Sequence, residues 1–207
     1  MMAESKSWIK LVVLFSLLLT AVFVFSDYSG LKSLSDKNLL KVTFLDVGQG
    51  DAIFIETPDG VQMLIDGGRD SSVLNQLAKE MTWNDRSIDV LMGTHPDIDH
   101  IGGLIDVLER FEISNIIASE NTGESQAASV YRRSIIEETD NLIYARAGQS
   151  IRLGASTTFK ILSPARDPSM LESNTSSIVG QLRYGEIEFM LTGDAPKSIE
   201  DYLVSMH

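Results

Sequence analysis

Cysteine is absent from the 207 residues. That excludes a disulfide framework, thiolate metal sites and a cysteine nucleophile. Histidine is scarce, at three, so any imidazole chemistry rests on very few positions. Positive charge is also short: 17 Lys and Arg stand against 29 Asp and Glu, a net charge of −12. A generally basic nucleic-acid binder is excluded, though not a local basic path. There are only 5 Pro and no low-complexity run, while 43% of residues are hydrophobic and 22% charged. A disordered, collagen-like or Pro-rich chain is therefore excluded.

Long apolar runs are lacking too, with one exception. Residues Ile9 to Phe25 read IKLVVLFSLLLTAVFVF, with Lys10 as their one charge. About 17–25 apolar residues span a bilayer as a helix, so 1–26 is expected to be a membrane anchor. Lys6 and Lys10 precede the run and favour a cytoplasmic amino terminus, with the rest of the chain on the extracytoplasmic side. The rival is a cleaved signal peptide and a secreted chain, but Val24-Phe25-Ser26 is a mediocre cleavage site. Two Lys and one Glu fall in these 26 residues, so 15 basic and 28 acidic side chains lie beyond them.

Residues 27–38 are polar with Gly and Ser and read as a linker. The domain is expected over 39–207. Strands are expected at 39–47, 51–57, 61–65, 88–93 and 113–118, with helices at 72–81, 104–111 and 125–138. From Asn141 the pattern returns to strands, at 141–146, 150–153, 157–162, 176–184 and 186–192. A last helix follows Pro196, with Ile199, Leu203 and Met206 as its apolar face. Each half delivers an acid at a strand end, Asp66 and Asp194. This predicts an α/β protein with two mixed sheets and helices outside.

The informative segment is Thr94-His95-Pro96-Asp97-Ile98-Asp99-His100-Ile101-Gly102-Gly103. Two of the three His and two Asp fall within six residues, in a loop after a buried strand. Imidazole nitrogens and carboxylate oxygens suit divalent zinc, manganese or iron. His95 and Asp97 are spaced to point the same way on extended chain, and Asp99 and His100 to serve a second ion. Two such ions would activate a water for attack on a phosphoryl or carbonyl centre. Gly102 and Gly103 are expected to let the backbone turn tightly into the helix beneath.

The segment resembles the metallo-β-lactamase superfamily signature H-x-H-x-D-H followed by a Gly pair. Leu64-Ile65-Asp66-Gly67-Gly68 resembles the superfamily's early strand ending in Asp-Gly, and Leu191-Thr192-Gly193-Asp194 the later strand whose Asp bridges two metals. Phe44-Leu45-Asp46-Val47-Gly48-Gln49-Gly50-Asp51-Ala52 and Asn174-Thr175-Ser176-Ser177-Ile178-Val179 are similar to the ComEC-type competence-protein branch. The resemblance covers about residues 40–200. It implies an αββα sandwich and a two-ion site of zinc or manganese, with His95, Asp97, Asp99, His100 and Asp194 as ligands. Asp99 would also orient or deprotonate the water. Asp66 would orient ligands, Asp46 and Asp51 would shape the site edge or bind substrate, and Asn174 and Ser176 would contact substrate or form the loop. Asp97 stands where the signature has its middle His, which makes that site harder and sets a β-lactam hydrolase aside. No His lies between His100 and His207, so a third-motif His ligand is missing. The family's later strand and His-His-Gly motif do not appear before His207, so the domain's second half is expected to be incomplete. His207 itself is expected to be an ordinary terminal residue.

Together these features predict a membrane-anchored extracytoplasmic metal-dependent hydrolase of the ComEC-like branch. Its expected substrate is a phosphodiester, with single-stranded DNA during uptake as one candidate. The alternative is a non-catalytic accessory or binding module with the same fold and an incomplete metal site.

Overall fold

A computed structural model describes residues 13–23 and 39–206. Contacts divide the chain into two units, Met1–Leu39 and Leu40–His207. In the first, residues 13–23 are helical. The flanks of the expected anchor and the whole expected linker lie outside the described residues, as does His207. Among the described residues, no helix is long and apolar enough to cross a membrane.

The second unit runs β1 (Lys41–Phe44), β2 (Ile53–Glu56), β3 (Gln62–Ile65), α1 (Ser72–Glu80), β4 (Ser87–Gly93), α2 (Ile98–Leu108), β5 (Glu112–Ala118), α3 (Gln126–Glu138), β6 (Leu142–Tyr144), β7 (Ser150–Leu153), β8 (Thr157–Ser163), β9 (Val179–Tyr184), β10 (Ile187–Leu191) and α4 (Lys197–Ser205). A six-stranded sheet has the order β1-β2-β3-β4-β5-β6, and a four-stranded sheet the order β10-β9-β8-β7. The larger sheet is mixed. Its first three strands are antiparallel neighbours, and β3 to β6 pair in parallel. The smaller sheet was expected to be mixed as well but is antiparallel throughout. Its strands carry no helical crossover between them, and a parallel pair needs one.

The period-2 pattern decides the layering. In the larger sheet Phe54, Leu64, Leu91 and Ile116 face one way. They pack with Val73 and Leu77 of α1, Ile101, Leu104 and Val107 of α2, and Ala128, Tyr131 and Ile135 of α3. Their neighbours Ile53, Ile55, Met63, Ile65, Val90, Met92 and Ile117 face the other way. They meet Leu153, Phe159, Ile161, Leu182 and Leu191 of the smaller sheet. Strands β2 to β5 are thus apolar on both faces, as strands covered on both sides must be. Helices, large sheet and small sheet make three packed layers. The outer helix that an αββα sandwich adds finds a counterpart only in α4, which has no buried residue.

Three local differences from the sequence expectation bear on the site. Helix α2 begins at Ile98 rather than 104, with Asp97 in extended conformation before it. His100 therefore sits in the helix's first turn, not in a loop. The strand expected over 39–47 stops at Phe44. Beyond it the Asp46 carbonyl accepts from Gln76 Nε2 of α1 at 2.7 Å, so the chain leaves the ladder. Asn174–Ser176 form a 3₁₀ turn rather than a strand entry. The Glu172 carboxylate accepts from Thr175 N and Oγ1, both at 3.1 Å, and Ser176 Oγ donates to the Ser173 carbonyl at 2.6 Å. Such local bonds outcompete a strand ladder.

Candidate metal centre

The site gathers at the ends of β3, β4 and β10 and at the first turn of α2. Asp66 follows β3 and has a φ of 56°, a left-handed conformation that Asp tolerates better than most residues. Its backbone N–H still donates to the Met92 carbonyl of β4 at 2.8 Å, so the turn stays on the sheet. The next residues press onto α2. Gly67 N donates to the His100 carbonyl at 2.8 Å, and Gly103 N to the Gly68 carbonyl at 3.0 Å. A Cβ on Gly102 would lie 2.1 Å from the Arg69 carbonyl oxygen. The Gly pair therefore does not turn the chain, as its sequence position suggested. It lies inside the helix and permits backbone-to-backbone approach.

That approach brings the buried Asp66 carboxylate to three donors. Oδ1 accepts from Thr94 N at 2.8 Å, and Oδ2 accepts from Thr94 Oγ1 at 2.7 Å. His100 Nδ1 is 2.8 Å from the same Oδ2. Thr94 Oγ1 spends its one proton on Asp66, so it can only accept from His95 Nδ1, 3.0 Å away. Both imidazoles thus carry a proton on Nδ1 and turn Nε2 inward. The rings lie with centroids 4.1 Å apart. Among the described residues, His95 Nε2 is buried with no hydrogen-bond partner. A buried polar atom with no partner is costly, and a neutral imidazole with a bare Nε2 is the form that ligates a metal.

Carboxylates surround these nitrogens. His100 Nε2 is 3.5 Å from Asp194 Oδ1, and His95 Nε2 is 3.7 Å from Asp97 Oδ2. Among the described residues, His95, His100 and Asp194 form a set whose ligand atoms lie within 4.8 Å of one another. Burial and the neighbouring His100 charge hold His95 below the ordinary histidine range. Burial would lower His100 as well. The bond to Asp66 and the charges of Asp66, Asp194 and Asp51 outweigh it and raise His100 to about 9. Burial raises the Asp51 carboxyl, with His100 opposing and Asp66 and Asp194 adding to the rise. Asp51 lines the same small cavity as Asp66, Thr94 and Gly193, beside the cluster.

Several of the expected site residues are therefore together: His95, His100, Asp194, Asp97, Asp51 and Asp66. Asp99 stands outside the 4.8 Å set, its Oδ2 accepting from Gln49 Nε2 at 3.1 Å. Asp46 is exposed and engages α1 through its carbonyl. Asn174 and Ser176 build the 3₁₀ turn. The adjacent Ser173 makes the contact, its Oγ donating to Asp97 Oδ1 at 2.6 Å. Thr94, Ser173 and Gln49 are the participants that sequence reasoning did not single out. Thr94 carried a signal, since it stands beside His95 at a strand end. Ser173 carried none, being 76 residues from the carboxylate it holds.

The donor set fits divalent cations. Four carboxylates and two imidazoles converge with little compensating charge, and the partnerless Nε2 faces them. The chain is 25% identical to ComE operon protein 3 of Bacillus subtilis (strain 168) in a match covering 100% of this chain. It spans only 28% of that relative's length. Among solved structures, the metallo-beta-lactamase fold protein YhfI from Bacillus subtilis has a TM-score of 0.52 at 15% identity, covering 75% of this chain and 62% of its own. The subclass B3 metallo-beta-lactamase MEM-A1, isolated from a soil metagenome library, has a TM-score of 0.51 at 13% identity, covering 82% of this chain and 76% of its own. Both likenesses show the fold. The sequence pattern of the metallo-beta-lactamase superfamily matches residues 45–205. That span holds the Asp66 turn, the THPDIDH segment and Asp194, and the chain belongs to the metallo-beta-lactamase superfamily.

Proposed function

We propose that this chain is a metal-dependent hydrolase of phosphodiesters, held on the extracytoplasmic side of a membrane by its amino-terminal apolar run. The observation that carries the reading is the inward pair of imidazole Nε2 atoms, one with no partner among the described residues, with His100 fixed by the buried Asp66 carboxylate and His95 by Thr94, which that carboxylate holds. His95, Asp97, Asp99, His100 and Asp194 would hold two divalent ions, zinc or manganese. The carboxylate-rich donor set favours the harder manganese. Bound there, the ions would supply electrophilic assistance and lower the pKa of water.

The chain's own residues do the rest. Asp66 and Thr94 keep both imidazoles in the tautomer that presents Nε2. Ser173 steadies Asp97. Asp99 orients the attacking water and accepts its proton. The acidic cluster would repel an anionic substrate, so a phosphodiester is compatible with it only once cations are bound. Likeness to a ComE operon protein supports a link to DNA uptake, with single-stranded DNA as the substrate. Lys6, before the apolar run, and Lys10, at its edge, support the membrane orientation.

Metal analysis of the full chain together with hydrolysis of bis(p-nitrophenyl) phosphate tests the reading. The wild type should bind divalent metal and turn over. His95→Ala and Asp99→Ala should lose both properties, and full activity in either refutes the assignment. A second reading, a non-catalytic binding module, draws on the small imidazole count, since among the described residues two reach the cluster. Metal bound at full occupancy with no hydrolysis of any phosphodiester would favour it.

A further inference from the structure

The Gly48-Gln49-Gly50 turn is tied to the metal centre by one side chain. Gln49 Nε2 donates to Asp99 Oδ2 at 3.1 Å, and Arg69 Nη1 donates to Gln49 Oε1 at 3.1 Å. The two contacts fix the amide's orientation. Its oxygen must face the guanidinium and its NH₂ the carboxylate, because the flipped amide would set donor against donor and acceptor against acceptor. The turn is held against the helix start as well. Gly50 has a φ of 87°, and a Cβ there would lie 1.6 Å from the Asp99 carbonyl oxygen. Gly68 N, one residue before Arg69, donates to the Asp51 carbonyl at 2.9 Å. The three segments carrying Gln49, Arg69 and Asp99 are therefore locked together by backbone.

We infer that Gln49 is a positioning residue for Asp99 and a neutral spacer between Asp99 and Arg69. The inference rests on the reading of Asp99 as a metal-holding, water-orienting group. Arg69 paired directly with Asp99 would take both carboxylate oxygens in a bidentate fork and cancel their charge. With the amide interposed, only Oδ2 is engaged and Oδ1 is left for the metal centre. The guanidinium polarises the amide and so strengthens its bond to Asp99. The turn thus acts on the centre through a carboxylate.

The test is a Mn²⁺ titration of the full chain, with phosphodiester turnover followed in parallel. Gln49→Glu keeps the shape and the Arg69 contact but replaces the donor NH₂ with a carboxylate facing Asp99. Gln49→Ala removes the spacer. Each variant should weaken the weaker of two Mn²⁺ affinities by about tenfold to a hundredfold, the worth of a hydrogen bond to a charged group. Turnover should fall similarly in kcat with KM unchanged, and the melting temperature should hold because both side chains are exposed. Arg69→Ala should cost less, and adding it to Gln49→Ala should cost nothing further. Unchanged Mn²⁺ affinity in both Gln49 variants overturns the inference, whatever the activity. Weakened affinity in a chain that hydrolyses nothing upholds the positioning role and refutes the hydrolase reading. A wild type that binds no Mn²⁺ overturns both.

Discussion

Replacing Asp66 by Asn should shift the titration of His100 by about two pH units in the metal-free protein. Both side chains are buried, at 2% and 1% exposure, and meet at 2.8 Å. Asn tolerates the φ of 56° that Asp66 adopts, so the turn should survive. The negative charge and one of two acceptor oxygens do not. His100 is raised from 6.5 to about 9. At about 1.4 kcal/mol per unit, that is roughly 3 kcal/mol in favour of the protonated ring. Asp194 and Asp51 remain in the variant and keep part of the rise, while burial pulls the other way. The assay is a proton–carbon NMR titration of the imidazoles in chelated protein, where a sequence with three His gives few signals. The same shift appears in stability. A raised pKa adds stability that is complete below about pH 6.5 and lost as pH rises through about 9. The destabilisation caused by Asp66→Asn should therefore be about 3 kcal/mol larger at pH 6 than at pH 10, by denaturant unfolding. A wild-type His100 titrating near 6.5, or one unmoved by the substitution, refutes the argument that Asp66 governs this ring.

Further expectations follow from the packing. Gly102→Ala places a methyl 2.1 Å from the Arg69 carbonyl oxygen and should separate the Asp66 turn from α2. It should cost about 3 kcal/mol or more and lower metal affinity, whereas Gly60→Ala, with φ of 81° and open space around it, should cost only about 1 kcal/mol of backbone strain. Equal losses of melting temperature in the two variants would contradict this. Tyr131 is buried with its hydroxyl lacking a partner, and burial raises its pKa so that it stays neutral. Tyr131→Phe should leave stability unchanged or raise it by about 1 kcal/mol. A loss of that size by thermal unfolding would mean that the hydroxyl does bond within the core.

Much of this could be read along the chain because the signals are local. The alternation through Ile53-Phe54-Ile55, Met63-Leu64-Ile65 and Val90-Leu91-Met92 marks strands buried on both faces, and the structure divides each triplet between two cores. The ligand-type residues of THPDIDH stand in one short segment. Helix α2 was harder to bound. Its first turn carries Asp99 and His100 between Ile98 and Ile101, and the Gly pair that follows interrupts the apolar period until Leu104. The 3₁₀ turn at Asn174–Ser176 was missed for a related reason, since its bonds come from Glu172 and Ser173 and not from a hydrophobic pattern.

The sequence by itself determined most of the elements, the gathering of the ligand-type His95 and His100 in one short segment, and the absence of any third-motif imidazole between them and His207. Those properties depend on residue type and short spacing. Only the tertiary structure decided how the ligands are aimed. Asp66 reaches His100 across 34 residues, Ser173 reaches Asp97 across 76, and Gln49 reaches Asp99 across 50. Each contact exists because backbones approach closely at glycines and sheets stack face to face. A hydrogen bond reads only distance and angle in space, and separation along the chain encodes neither.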